Sequence, residues 1–226
     1  MRNLRRILSS LTLVVTVLLG AAISGASATR LEIGNHERGF RITFQPFEII
    51  DSAVPMQPVR CTVLMEGVFT ERTFTKTAAL QIGNVTRARV TNHPCTAGDA
   101  WVYNGTEAGG LANSLPWGVH YAVFGGMLPN ITSVSVRIVR MAFRLQPTGL
   151  AACDFTASET TVPANGFFSL ISGGGGVRLF ETFSFEPGVS IPQTGPMMCS
   201  LFSVRLRATE SAFSIGGLEH PRMTLI

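Results

Sequence analysis

His93, Cys95 and Asp99 form the densest group of reactive side chains in the chain, within the segment His93-Pro94-Cys95-Thr96-Ala97-Gly98-Asp99. A thiolate, an imidazole base and an orienting carboxylate are the parts of a nucleophilic site, and together with His120 the same residue types could ligate a metal. The segment is also rich in turn formers, and a cysteine held in a disulfide is neither nucleophile nor ligand. It therefore reads as a disulfide-bearing loop, with no catalytic residue and no metal site assigned. No cofactor is implied: the chain has no Gly-x-Ser-x-Gly, His-Glu-x-x-His or Cys-x-x-Cys, and no phosphate loop ending in Gly-Lys-Ser/Thr. Gly173 to Gly176 precede the strand-like Val177-Arg178-Leu179-Phe180. An anion cradle needs a helix N-terminus at that point, so the glycines read as a hairpin loop.

The second candidate is aromatic. Trp101, Tyr103, Trp117 and Tyr121 are the only tryptophans and tyrosines of the chain. Trp101 and Tyr103 alternate with Ala100 and Val102 and so share a strand face. Exposed, such a face stacks on sugar rings or on a partner protein; buried, it is ordinary core. The four are the candidate binding surface, and buried positions would remove its motive. Glu66, Glu71, Asp99, Glu107, Glu181 and Glu186 could supply the paired acids of a glycoside hydrolase, but such pairs are defined by a spatial separation that sequence does not contain. Arg87 with Arg89, and Arg205 with Arg207, are i, i+2 pairs, so each pair points to one strand face. Such faces could grip a polyanion; with acids elsewhere they read first as solvated outer faces.

These residues sit on strands. After residue 30 the chain alternates with period two and shows no sustained helical period. Phe40, Ile42 and Phe44 alternate with Arg41 and Thr43, and Val59, Cys61, Val63 and Met65 with Arg60, Thr62 and Glu66. Trp117, Val119, Tyr121 and Val123 share one face of a strand ending at Gly125-Gly126. From Ile131 to Leu145 the buried parity switches: Val134, Val136 and Ile138 come first, then Val139, Met141, Phe143 and Leu145. One regular strand cannot keep one buried face through such a switch, so either a β-bulge near Ile138 or a crossing between two sheets is predicted. After Pro147-Thr148-Gly149 come Phe167 to Ser172, Val177 to Phe185 and Met197 to Ala208, with prolines punctuating the loops. The fold class is all-β: a two-sheet sandwich or sandwich-like barrel, in which residues 29–146 and 147–226 form β-rich halves packed together or standing as two subdomains.

The N-terminus carries Arg2, Arg5 and Arg6, then an apolar run from Ile7 to Ile23, then Gly25-Ala26-Ser27-Ala28. This is the pattern of a secretory signal peptide over residues 1–28, cleaved after Ala28. Its removal takes three of the 18 basic residues and none of the 14 acids, so the net charge falls from +4 to +1. The basic balance belongs mostly to the export signal, and the mature chain offers no general electrostatic argument for nucleic acid or for anionic lipid. Four cysteines in an exported chain read as disulfides. Three pairings are open; Cys61 with Cys95 and Cys153 with Cys199 each close a loop within one half. Asn84-Val85-Thr86, Asn104-Gly105-Thr106 and Asn130-Ile131-Thr132 fit the glycosylation sequon, which matters only in a eukaryotic secretory pathway.

The segment Leu115-Pro116-Trp117-Gly118-Val119-His120-Tyr121, with Gly126-Met127-Leu128-Pro129-Asn130-Ile131-Thr132, Lys76-Thr77-Ala78 and the surroundings of Cys61 and Cys95, resembles a group of small exported proteins of high-GC Gram-positive bacteria. The resemblance spans roughly residues 59–146 and brings no activity with it. It implies bacterial export, which would make the sequons irrelevant. The expectation is a secreted or envelope-associated β module, binding or structural, with a cell-wall glycan or an envelope protein as partner and neither nucleic acid nor membrane insertion after signal cleavage. The alternatives are a secreted hydrolase with dispersed carboxylates and a membrane-embedded β-barrel.

Overall fold

The structure, a computed structural model, describes residues 30–33, 38–51, 57–102, 114–127, 130–157, 164–172, 178–185, 190–192, 203–208, 211–214 and 222–225. The expected signal segment, residues 1–28, lies outside them. The described residues form strands and no helix. The first half carries β1 (Arg30–Ile33), β2 (Gly39–Asp51), β3 (Val59–Phe69), β4 (Thr73–Thr75), β5 (Gln81–Val90), β6 (Gly98–Val102), β7 (Trp117–Met127), β8 (Asn130–Val139) and β9 (Ala142–Pro147). There follow β10 (Cys153–Thr156), β11 (Ala164–Ser172), β12 (Arg178–Phe185), β13 (Ser190–Pro192), β14 (Ser203–Ala208), β15 (Ser211–Ser214) and β16 (Arg222–Leu225).

One 13-stranded sheet runs β13-β14-β2-β3-β5-β7-β8-β11-β12-β16-β1-β4 with β15 on β2, and a three-stranded sheet runs β10-β9-β6. The large sheet curls on itself. β12 lies beside β14 and β15, which belong with β2, and a phenylalanine seam joins the two sides. Phe44 on β2 meets Phe183 and Phe185 on β12 at centroid distances of 6.0 and 5.7 Å, and Phe69 on β3 meets Phe180 at 5.9 Å. The result is an all-β, sandwich-like fold around one apolar cluster, to which both sheets contribute. Strands from both sides of residue 147 pair directly: β8 with β11, β2 with β14, and β1 with β16. β11 and β12 pair as a hairpin; the glycine run expected to link them lies outside the described residues.

The parity switch after Ile138 is a crossing between sheets. From Val136 to Val139, opposite Tyr121 to Gly118, β8 pairs with β7 in unbroken register. Arg140 then turns at φ 65°, and β9 continues in the small sheet between β6 and β10. This one left-handed residue lets Val134, Val136 and Ile138, and then Met141, Phe143 and Leu145, all point into the core. A bulge does the same job elsewhere. Phe44 pairs with Val63 and Phe47 with Cys61, so β2 holds one extra residue there. Phe47 and Ile49 thereby stay inward while Glu48 turns to the outer face.

Candidate functional site

The loop that begins at His93 is tied to the sheet by covalent and backbone bonds. Cys61 on the inner face of β3 is disulfide-bonded to Cys95, with Cα atoms 4.8 Å apart, and both are buried. Thr96 exchanges backbone hydrogen bonds with Arg60 on the neighbouring strand position. Ala97 and Gly98 then take positive φ, and a Cβ at Gly98 would run into the backbone of Gln146 and Pro147 on β9. Cys153 is also disulfide-bonded; its expected partner, Cys199, lies outside the described residues.

Folding places His93 and Asp99 together. His93 Nδ1 lies 2.7 Å from Asp99 Oδ1, which also accepts the Ala100 backbone N–H at 2.9 Å. The imidazole ring stacks toward Trp101 at 6.2 Å. The dyad has the geometry of an orienter and a base, but the sulfur between them in sequence is locked in the disulfide and supplies no nucleophile. Among the described residues no group of three or more His, Cys, Asp or Glu side chains is placed to hold a metal ion.

The aromatic candidates separate. Trp117 and Tyr121 do not form a binding surface: at 1% and 3% exposure they are core, because both lie on the inward parity of β7. Trp117 Nε1 donates to Ser114 Oγ at 2.9 Å. Burial pushes the Tyr121 hydroxyl above its ordinary pKa, and a backbone hydrogen bond at Phe124 offsets part of that rise. Trp101 is half-buried, and Tyr103 lies outside the described residues. Trp101 and Trp117 help line a cavity of ≈ 20 Å³ between the two sheets, walled by apolar side chains including Met65 and Phe143. Such a space admits about one water-sized molecule and offers it no polar partner.

The carboxylates are taken up by arginines. Asp154 on β10 forms a two-pronged pair with Arg144 on β9, at 2.7 and 3.1 Å. Glu66 on β3 accepts from Arg41 Nε on β2 at 2.8 Å and from Arg87 on β5 at 3.2 Å. Its partial burial pushes the carboxyl upward, but the hydrogen bonds and charges of Arg41 and then Arg87 outweigh this and hold it below its ordinary value. Glu48 on β2 accepts from Arg60 Nε on β3 at 2.8 Å and faces Arg207 on β14 at 3.9 Å. Each glutamate thus lies between arginines of its two neighbouring strands. Glu71 and Glu181 are exposed; Glu107 and Glu186 lie outside the described residues. The cavity is lined by none of these acids.

The convergence of Arg41, Arg60, Arg87 and Arg207 around two glutamates was legible only in part. Alternation put each arginine on a strand face, whereas strand order and register decided that the faces coincide. Comparison of the chain with protein-family models, with curated proteins and with solved structures finds no match.

Proposed function

We propose that the chain is an exported, disulfide-stabilised β module that works outside the cytoplasm by binding rather than by chemistry. The observation that carries this reading is the buried Cys61–Cys95 disulfide, with Cys153 also oxidised. Disulfides persist where thiols are not kept reduced. The signal-like N-terminus and the resemblance to small exported proteins of high-GC Gram-positive bacteria point the same way. No helix among the described residues is long and apolar enough to cross a membrane.

The two alternatives find less support. A hydrolase calls for two converging acids in a cleft, whereas Glu48, Glu66 and Asp154 each pair with arginine and the described cavity is apolar. A membrane-spanning barrel calls for an apolar outward band, and each arginine at the bilayer midplane would cost about 2–4 kcal/mol. Here the outward face of β14, β2, β3 and β5 carries arginines. The test is to express the full chain in a bacterium and to measure intact mass and alkylation, without reductant, in the cytoplasmic and exported fractions. The expected product is exported, lacks residues 1–28 and has no alkylatable thiol. A reduced, full-length cytoplasmic protein would overturn the reading.

A further inference from the structure

We propose that the outer face of β14-β2-β3-β5 binds a linear anionic glycan of the cell envelope, whose repeats carry carboxylate or phosphodiester groups. The proposal gives a ligand class to the exported module above and rests on that reading for where the glycan is met.

Register assembles the face. Arg41 lies opposite Glu66, and Glu66 opposite Arg87. Next along the strands come Thr43, Leu64 and Arg89. Beyond the bulge Glu48 pairs with Arg60 on one side and Arg207 on the other, and Ile50 pairs with Arg205. Six arginines thus share one sheet face with two glutamates, a surplus of four positive charges. The stripe runs from position 41 to position 50 of β2, roughly 30 Å at ordinary strand rise. A mature chain with a net charge of only +1 has therefore sorted its charges onto one surface, and such sorting, rather than net charge, is what concentrates a polyanion.

The layering favours an external ligand. The Glu48 and Glu66 side chains are 11% and 20% exposed, while those of Arg41, Arg60, Arg87 and Arg207 are 51–62% exposed. The carboxylates lie beneath and hold the guanidiniums in place. Each guanidinium carries five N–H donors, so one or two bonds to glutamate leave donors facing solvent. Arg89 and Arg205 are exposed and have no ion pair among the described residues. Guanidinium forks match carboxylate and phosphate oxygens, and Thr43 and Thr62 between them can meet sugar hydroxyls. Among the described residues this face presents no exposed aromatic ring, the stacking platform that single-stranded nucleic acid uses.

The test is titration of the purified, oxidised protein with oligogalacturonate and with poly(glycerol phosphate), alongside neutral dextran and single-stranded DNA. At about 50 mM salt at least one anionic polymer should bind and dextran should not, with marked weakening by about 200 mM as counterion release predicts. Arg89→Gln combined with Arg205→Gln should weaken binding roughly tenfold. Glu66→Gln should tighten it about threefold, because it frees two guanidiniums from an internal anion. Arg30→Gln, on β1, should change nothing, and a cooperative thermal unfolding transition in each variant would show that it folds. Absence of binding to both anionic polymers, DNA binding tighter than either, or indifference to the Arg89/Arg205 and Glu66 variants would overturn the proposal. Failure of export is read separately, from the cell fractions, and leaves this titration of purified protein intact.

Discussion

The inner and outer faces of β2, β3 and β5 alternate residue by residue along the same backbone, yet different forces hold them. Inward, Phe40, Phe44, Met65 and Phe69 are almost fully excluded from water, and Phe44 and Phe69 pack ring against ring with Phe183 on β12 and Phe168 on β11. Outward, Arg41, Glu66 and Arg87 form a half-solvated ion cluster. Apolar burial contributes about 25 cal/mol per Å² and is not weakened by ionic screening, whereas exposed pairs contribute about 0–1 kcal/mol and are screened. Stability therefore resides on one face, and the other is free to serve recognition.

Substitution of an inner ring should show the largest effect. Phe44→Ala, which removes a ring touching Phe47, Phe183 and Phe185, should destabilise by about 3–5 kcal/mol in urea unfolding. A loss no greater than that of an outer-face variant would break the contrast. Next comes the staple beneath the inner face. Replacing both Cys61 and Cys95 by serine opens a loop with a sequence separation of 34 and should cost about 3–4 kcal/mol, read from the same unfolding curves. Little change there would mean that the sheets alone hold the His93 loop.

Gly166→Ala probes how closely the inner face is packed. A Cβ at that position would collide with the Phe183 ring and approach the Ser184 carbonyl oxygen at 2.9 Å. About 1–3 kcal/mol should be lost, and a melting temperature equal to wild type would show that the ring moves aside freely. The smallest effect belongs outside. Because Glu66 titrates below its ordinary value of 4.5, its contribution is complete above the unfolded carboxyl pKa and is lost as pH falls through the depressed folded value. Glu66→Gln should remove about 0.5–1 kcal/mol at neutral pH and flatten the acid limb of the stability profile. An unchanged acid limb would mean that the cluster adds nothing to folding.

Particular residues show where the sequence was readable. The inward set Phe40, Ile42 and Phe44 followed from alternation alone, as did Val59, Cys61, Val63 and Met65. Val123 did not: a register shift between Tyr121 and Val123 turns it outward, and it is 56% exposed. Bulges depend on the partner strand, so a period-two reading loses the face after each one. Trp117 and Tyr121 illustrate the other limit. Their clustering in sequence suggested a surface, but an aromatic ring serves core and binding site equally well, and only packing distinguishes the two.

By itself the sequence determined the all-β class, the pairing-competent cysteines and the break in parity after Ile138, because alternation and residue chemistry are local properties. Tertiary structure decided that this break is a crossing to a second sheet, that His93 meets Asp99, and that four strands place six arginines on one face. The face depends on strand order and register, which bring β14 beside β2 from more than a hundred positions away, whereas His93 and Asp99 meet through the fold of the loop between them, which residue types alone do not specify.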